Sequence, residues 1–143
     1  MLCATNQSME KVLRKGIAFD PNQLKQFDNL IKKKKYKSRS EAIRDMIRKE
    51  IIEEQQENPE SEMIATLTII YEHHEHHVQD ELTYIQHHYH ALIISSIHVH
   101  IDHCNCLEVI VLEGKVKDIR KIADEIIANK GVKHGKLFLS SIN

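Results

Sequence analysis

The chain has 143 residues, 41% of them hydrophobic and 5% aromatic, with no tryptophan and a formal net charge of −1. That suffices for one ordinary domain or two small ones; no apolar run approaches the ~18 residues of a membrane span, and residues 1–10 lack the apolar stretch of a secretory signal. Three cysteines, an odd count without framework spacing, point to a reduced cytoplasmic chain with metal-competent thiols rather than to a disulfide scaffold.

The charge is split along the sequence. Residues 1–55 carry 13 Lys and Arg against 8 Asp and Glu, a net of +5, whereas residues 56–143 carry 7 against 13, a net of −6. A basic front joined to an acidic, histidine-rich back predicts two modules, the first suited to a polyanion and the second to a cation. The run Lys32 to Lys35, taken alone, is a solvated helix end.

In chain order, residues 1–10 read as an arm and Val12 to Phe19 as a short β-capable segment. Asp20-Pro21 opens a helix, with Asp as N-cap and Pro in the first helical position, and Leu24, Phe27 and Ile31 form its apolar stripe. It should end near Lys34, before a turn at Tyr36-Lys37. Ser38-Arg39-Ser40-Glu41 matches a capping box and starts a second helix with Ile43, Met46, Ile47 and Ile51 on one side. Strand, helix and helix within residues 1–55 are too little chain for a stable core, so this module should dimerise. Residues 56–61, within the polar Pro-containing run Gln55 to Ser61, read as a linker.

Residues 62–143 alternate between the two periodicities. Met63 to Tyr71 is a strand, Glu75 to His88 a helix with Val78, Leu82 and Ile85 on one face, and Ala91 to Ile101 and Cys106 to Leu112 are strands. Val116 to Asn129 is a helix carrying Ile119, Ile122 and Ile126 and stopped by Gly131, and Val132 to Leu139 is a last strand. The chain is therefore α+β, and βαββαβ is the order of a ferredoxin-like sandwich, a frame used by small ligand-sensing domains but not itself a statement of function.

Chemistry concentrates at His98-Val99-His100, with Cys106 six residues on. Strand alternation turns Ile97, Val99 and Ile101 one way and both imidazoles the other. Two imidazoles and a thiolate make most of a soft-to-borderline metal site, although a lone His-x-His is more often two surface histidines. The cluster His87, His88 and His90 tips the balance toward metal. His87 lies about 200° around its helix from Ile85, so it faces away from its own core and toward a neighbouring subunit. Nitrogen and sulfur ligands leave zinc, nickel(II) and copper(II) open.

Lesser candidates surround this set. His103 is a neighbouring or alternative ligand, Cys104 competes with Cys106, and Glu108 shares the Cys106 face and can orient a ligand histidine. His73, His74, His76 and His77 read as a solvated polar turn, and His134 as an ordinary histidine. At the basic end, Arg14 and Lys15 can present a fork and an ammonium to a DNA groove, and Ser38-Arg39-Ser40 offers helix N–H groups and an Arg to a phosphate. Two such strands paired in a dimer would favour a palindromic site.

With these residues in view, the chain resembles, over nearly its full length, the NikR family of nickel-responsive transcriptional regulators. Tyr36 to Arg48 (YKSRSEAIRDMIR) is similar to the second-helix signature of that family. Ile85-Gln86-His87-His88, His98-Val99-His100-Ile101 and Cys106-Leu107-Glu108 are similar to its nickel pattern, and Gly131 to Gly135 to its final turn and strand. The resemblance implies a ribbon-helix-helix DNA-binding domain over residues 1–55 and an ACT-like domain over 62–143, assembled as a homotetramer, a dimer of dimers. It implies square-planar nickel held by His98, His100 and Cys106 of one subunit and His87 of another. It also implies a potassium ion at Glu41 and Asp45, and repression from a palindromic double-stranded operator. One departure concerns the ribbon: its groove-facing positions read Arg14, Gly16 and Ala18, and Gly and Ala offer no side-chain hydrogen bond to a base edge. The rivals are a metal-storage protein without regulatory output and a metalloenzyme; four protein ligands would close the open position that an enzyme needs, so no enzyme is expected.

Overall fold

The computed structural model describes residues 13–141 apart from 73 and 75, and within α3 it leaves aside the side chain of residue 76. The chain forms two compact units, Met1–Asp45 and Met46–Asn143.

The first unit contains α1 (Pro21–Lys33) and the start of α2 (Arg39–Glu57). The expected cap is in place: the Asp20 carboxylate accepts the N–H of Asn22 at 2.8 Å and of Gln23 at 3.3 Å, and Pro21 sits where a missing N–H costs nothing. The helix stops in a left-handed turn, with Lys35 at a φ of 60°. There the N–H groups of Lys35 and Tyr36 reach back to the carbonyls of Lys32 and Ile31, which is the Schellman pattern with lysine in the usual glycine position. Ser38 caps α2 through Glu41 N–H at 3.2 Å, but the Glu41 carboxylate turns to the N–H of Lys37 and not to that of Ser38, so the capping box is displaced by one residue. Among the described residues only Ile31 and Ala42 are buried on these two helices. The expected stripe of α2 does share one side, yet Ile47 and Ile51 are half exposed.

The expected strand over 12–19 is a correction for the part that is described: residues 13–20 carry no regular structure in the single chain. A ribbon strand needs a neighbour for its ladder hydrogen bonds, and nothing among the described residues of this unit supplies one. The expected arm, residues 1–10, lies outside the described residues.

The second unit has the anticipated order β1 (Glu62–Glu72), α3 (His76–His88), β2 (Ile93–His100), β3 (Asn105–Lys115), α4 (Val116–Ile127) and β4 (Val132–Ser140). All pairings are antiparallel, in the sheet order β2-β3-β1-β4. Alternation puts Met63, Ala65, Leu67, Ile69 and Tyr71 of β1 beside Cys106, Ile110 and Leu112 of β3 in one buried layer. Val78, Leu82 and Ile85 of α3 and Ile119, Ile122 and Ile126 of α4 join that layer. Each such aliphatic side chain contributes about 1.5–3 kcal/mol on burial. Gly131, at a φ of 100°, starts β4 so close to α3 that a Cβ would meet Val78 Cγ2 at 2.3 Å. The opposite face is apolar but open, with Ile97, Val99 and Phe138 exposed.

α2 runs to Glu57, so the segment expected as a linker begins inside a helix. The residues beyond Glu57 are fastened to the second unit. The carbonyls of Ser61 and Pro59 accept the N–H groups of Val116 and Lys117, completing the start of α4, whose N-cap Lys115 offers no side-chain cap. Glu60 pairs with both Lys115 and Lys117, which hold its carboxyl far below the usual range, at about 2. Gln56 donates to the carbonyl of Leu139 at 2.9 Å.

Candidate functional site

The β2–β3 pairing sets His98 opposite Glu108 and His100 opposite Cys106, so all four side chains leave the sheet on its helix-covered side. One ligand atom each from His98, His100 and Cys106 lies within 4.8 Å of the others. The Cys106 sulfur is 3.3 Å from His100 Nδ1, and the two imidazoles are tilted with centroids 4.8 Å apart. Both histidines are exposed while Cys106 is fully buried, so the set opens outward from a sealed sulfur. Burial, then the charges of Asp102 and Glu108, push the Cys106 thiol up. A metal here must therefore displace a proton, and two imidazoles with one thiolate have the softness for nickel, copper or zinc.

His87 stands exposed in the last turn of α3, outside the three-residue cluster. It borders a cavity of about 410 Å³ between α3 and β2, which His98, Gln86 and Glu108 also line. His103 is exposed in the turn after β2 and lines a separate shallow cavity with His100 and His74. Cys104 is exposed. The turn itself is closed by Asp102, whose carboxylate accepts the N–H groups of Cys104 and Asn105 and the side-chain amide of Asn105. Of the four-histidine run, 73 and the side chain of 76 lie outside what is described, while His74 is exposed.

Two residues that the sequence did not single out complete the surroundings. The buried Tyr71 hydroxyl lies 3.3 Å from His98 Nδ1; burial, then Glu108 and Cys106, push its pKa up to about 12. Gln86 on α3 donates to Glu108 Oε1 at 2.6 Å, and Glu108 stands opposite His98 in the β2–β3 pairing. Tyr71 had the pattern of an ordinary core residue, and only the β1–β3 register, which pairs it with Cys106, brings it to the metal strands. The signal for Gln86 was its place next to His87.

In the first unit, Arg14, Lys15 and Gly16 are exposed and Ala18 lies on the same open segment, and nothing among the described residues stands within 4 Å of a Cβ built on Gly16. Ser38, Arg39 and Ser40 are exposed at the start of α2. Glu41 and Asp45 sit one turn apart on α2, Glu41 bound to Lys37 N–H and Asp45 accepting the Tyr36 hydroxyl.

Comparison with known proteins matches residues 64–140 to the NikR C-terminal nickel-binding domain and residues 16–54 to the ribbon-helix-helix proteins of the copG family. Relatives whose names describe them as putative nickel-responsive regulators include one from Solibacter usitatus, 47% identical over 93% of this chain and 96% of its own length. Another, from Pelobacter propionicus, is 50% identical over 93% and 96%. A third, from Caldanaerobacter subterraneus subsp. tengcongensis, is 50% identical over 93% of this chain and 86% of its own.

Proposed function

The chain belongs to the NikR family of nickel-responsive regulators, and from that premise we propose that it is a cytoplasmic repressor whose operator affinity rises when nickel binds. It is a nickel-responsive, DNA-binding transcriptional regulator. The observation that carries the metal half is the convergence of His98, His100 and Cys106 on one point. Their donor set fits nickel(II), which supplies a strong, geometrically demanding link between the groups it joins. His87 of a second subunit completes the set; its exposure at the end of α3, outside the three-residue cluster, supports that role.

Two incomplete surfaces support a homotetramer, built as a dimer of dimers. The half-exposed Ile47 and Ile51 of α2 call for a second copy of that helix, and the open apolar face with Ile97, Val99 and Phe138 calls for a second sheet. Residues 1–55 are assigned to DNA binding, 56–61 to the connection and 62–143 to metal and tetramer. Glu41 and Asp45, one turn apart, are assigned to potassium. Among the described residues no helix is long and apolar enough to cross a membrane. The action is binding rather than catalysis, and nickel acts by favouring the arrangement in which two ribbons fit a palindromic duplex operator.

The test is an electrophoretic shift with the chain's own promoter DNA, with and without nickel, alongside the absorption spectrum. A sulfur-to-metal charge-transfer band and a nickel-dependent shift are expected. A band without any nickel-dependent shift would move the assignment to metal storage.

A further inference from the structure

Arg39 is the first residue of α2, and its positive charge stands where the helix dipole is least favourable to a cation. It is nevertheless held in one pose. Its Nε donates to Asp28 Oδ1 at 2.8 Å and its Nη2 to Asp28 Oδ2 at 2.7 Å, a two-point fork between α2 and α1. The pair stays open to solvent, with 56% of the Arg39 side chain and 36% of that of Asp28 exposed. The fork occupies one edge of the guanidinium, and Nη1 takes part in neither bond. Beside it, Ser38 caps the helix by accepting the N–H of Glu41, and Ser38 and Ser40 are exposed like Arg39.

The geometry points to Asp28 as a positioning residue for DNA: by gripping one edge of Arg39 it aims the other edge, together with the start of α2, at a backbone phosphate. A guanidinium carries five N–H donors in a rigid plane, so one carboxylate can fix that plane while donors remain for a phosphate. Fixing it beforehand removes the ordering cost that a free arginine meets when it binds. The inference rests on the DNA-binding reading above and adds to it a residue that contacts no DNA. It also runs against simple electrostatics, because a carboxylate near a phosphate repels it, and that opposition makes the inference testable.

The experiment uses full-length, nickel-loaded protein and two duplexes: one selected by the unaltered protein from random sequence, the other of scrambled sequence. Affinity is read across a salt series. Asp28→Asn and Asp28→Ala are expected to weaken binding to both duplexes alike, roughly two- to tenfold, because the contact is to phosphate. If charge alone mattered, both changes would tighten binding and steepen the salt dependence; unchanged or tighter binding overturns the inference. Arg39→Lys keeps the charge and loses the fork. Positioning predicts a loss close to that of Arg39→Ala, which also lowers the salt slope by about one for each phosphate left without its cation. An Arg39→Lys protein that binds like the unaltered one overturns it too, and this variant decides the matter even if Asp28 changes harm folding. Thermal melting and the nickel band should stay put in every variant, which separates positioning from a general structural role. Failure of the unaltered protein to retain either duplex would instead sink the DNA-binding reading itself.

Discussion

The two units of this chain solve the same problem to different degrees. The second buries a layer of aliphatic side chains between one sheet face and two helices. The first, with a complete cap and a well-formed stop on α1, buries only Ile31 and Ala42 among its described residues. Local signals can therefore be complete where the core is not. Helix ends are specified by a few adjacent residues, whereas a core needs enough chain to enclose it.

The sharpest way to break this comparison is to separate the units. A fragment spanning 46–143 should keep its helix and sheet signal on dilution, and one spanning 1–57 should lose its helical circular dichroism as concentration falls. Helical signal in 1–57 that is independent of concentration would show that it needs no partner.

Within the second unit, removal of the metal thiolate should abolish the site while sparing the fold. Cys106→Ala should eliminate the charge-transfer band and Cys104→Ala should retain it; the reverse would move the ligand to Cys104. Mixing His87→Ala chains with His100→Ala chains should restore some sites, and recovery of none would place all ligands within one chain.

Core truncation grades the contrast. Ile122→Ala, at a fully buried position, should cost about 2–5 kcal/mol in denaturant unfolding. Ile47→Ala, 54% exposed in the single chain, should cost well under that unless assembly covers it. Equal losses would reveal that α2 is as tightly packed between subunits as α4 is within one.

Readout at the DNA end should be thin. Arg14→Ala should cost about 1–3 kcal/mol on the preferred duplex and relax sequence preference, while Lys15→Ala weakens all sequences alike. Operator DNA should in turn tighten nickel binding by the factor that nickel tightens DNA, about 1–3 kcal/mol of coupling; identical nickel affinities with and without DNA would sever the two functions.

The smallest effect concerns the tie at Glu60. Its folded-state pKa lies below the ordinary 4.5, at about 2, so its stabilising contribution is present above the ordinary value and is lost as the pH falls toward 2. Glu60→Gln should flatten that acid limb of the melting curve and change little at neutral pH. The pair is exposed and screened, so high salt should mimic the substitution.

Much of this was legible in the sequence because it is local or periodic. The Asp20 cap, the α3 and α4 stripes, the βαββαβ order and the shared face of His98 and His100 all come from spacing. What escaped depends on contacts distant in sequence. The bonds from Glu60 to Lys115 and Lys117 tie a polar run, read as a linker, to the start of a helix far along the sequence. Tyr71 meets His98 only through a register that no local pattern reveals.

The adjacency of β2 and β3 in both sequence and sheet has a consequence for how the protein is made. His98, His100 and Cys106 belong to one hairpin within nine consecutive residues, so bringing them together closes a very short loop. Hairpins of this kind form in about 1–10 μs, at little loop-closure cost. The central strand β1, by contrast, waits for β4, whose pairings such as Ile64 with Ser140 span most of the unit. The three donors can thus meet before β4 closes on β1, and the speed of maturation should be governed by that late closure rather than by the meeting of the three donors.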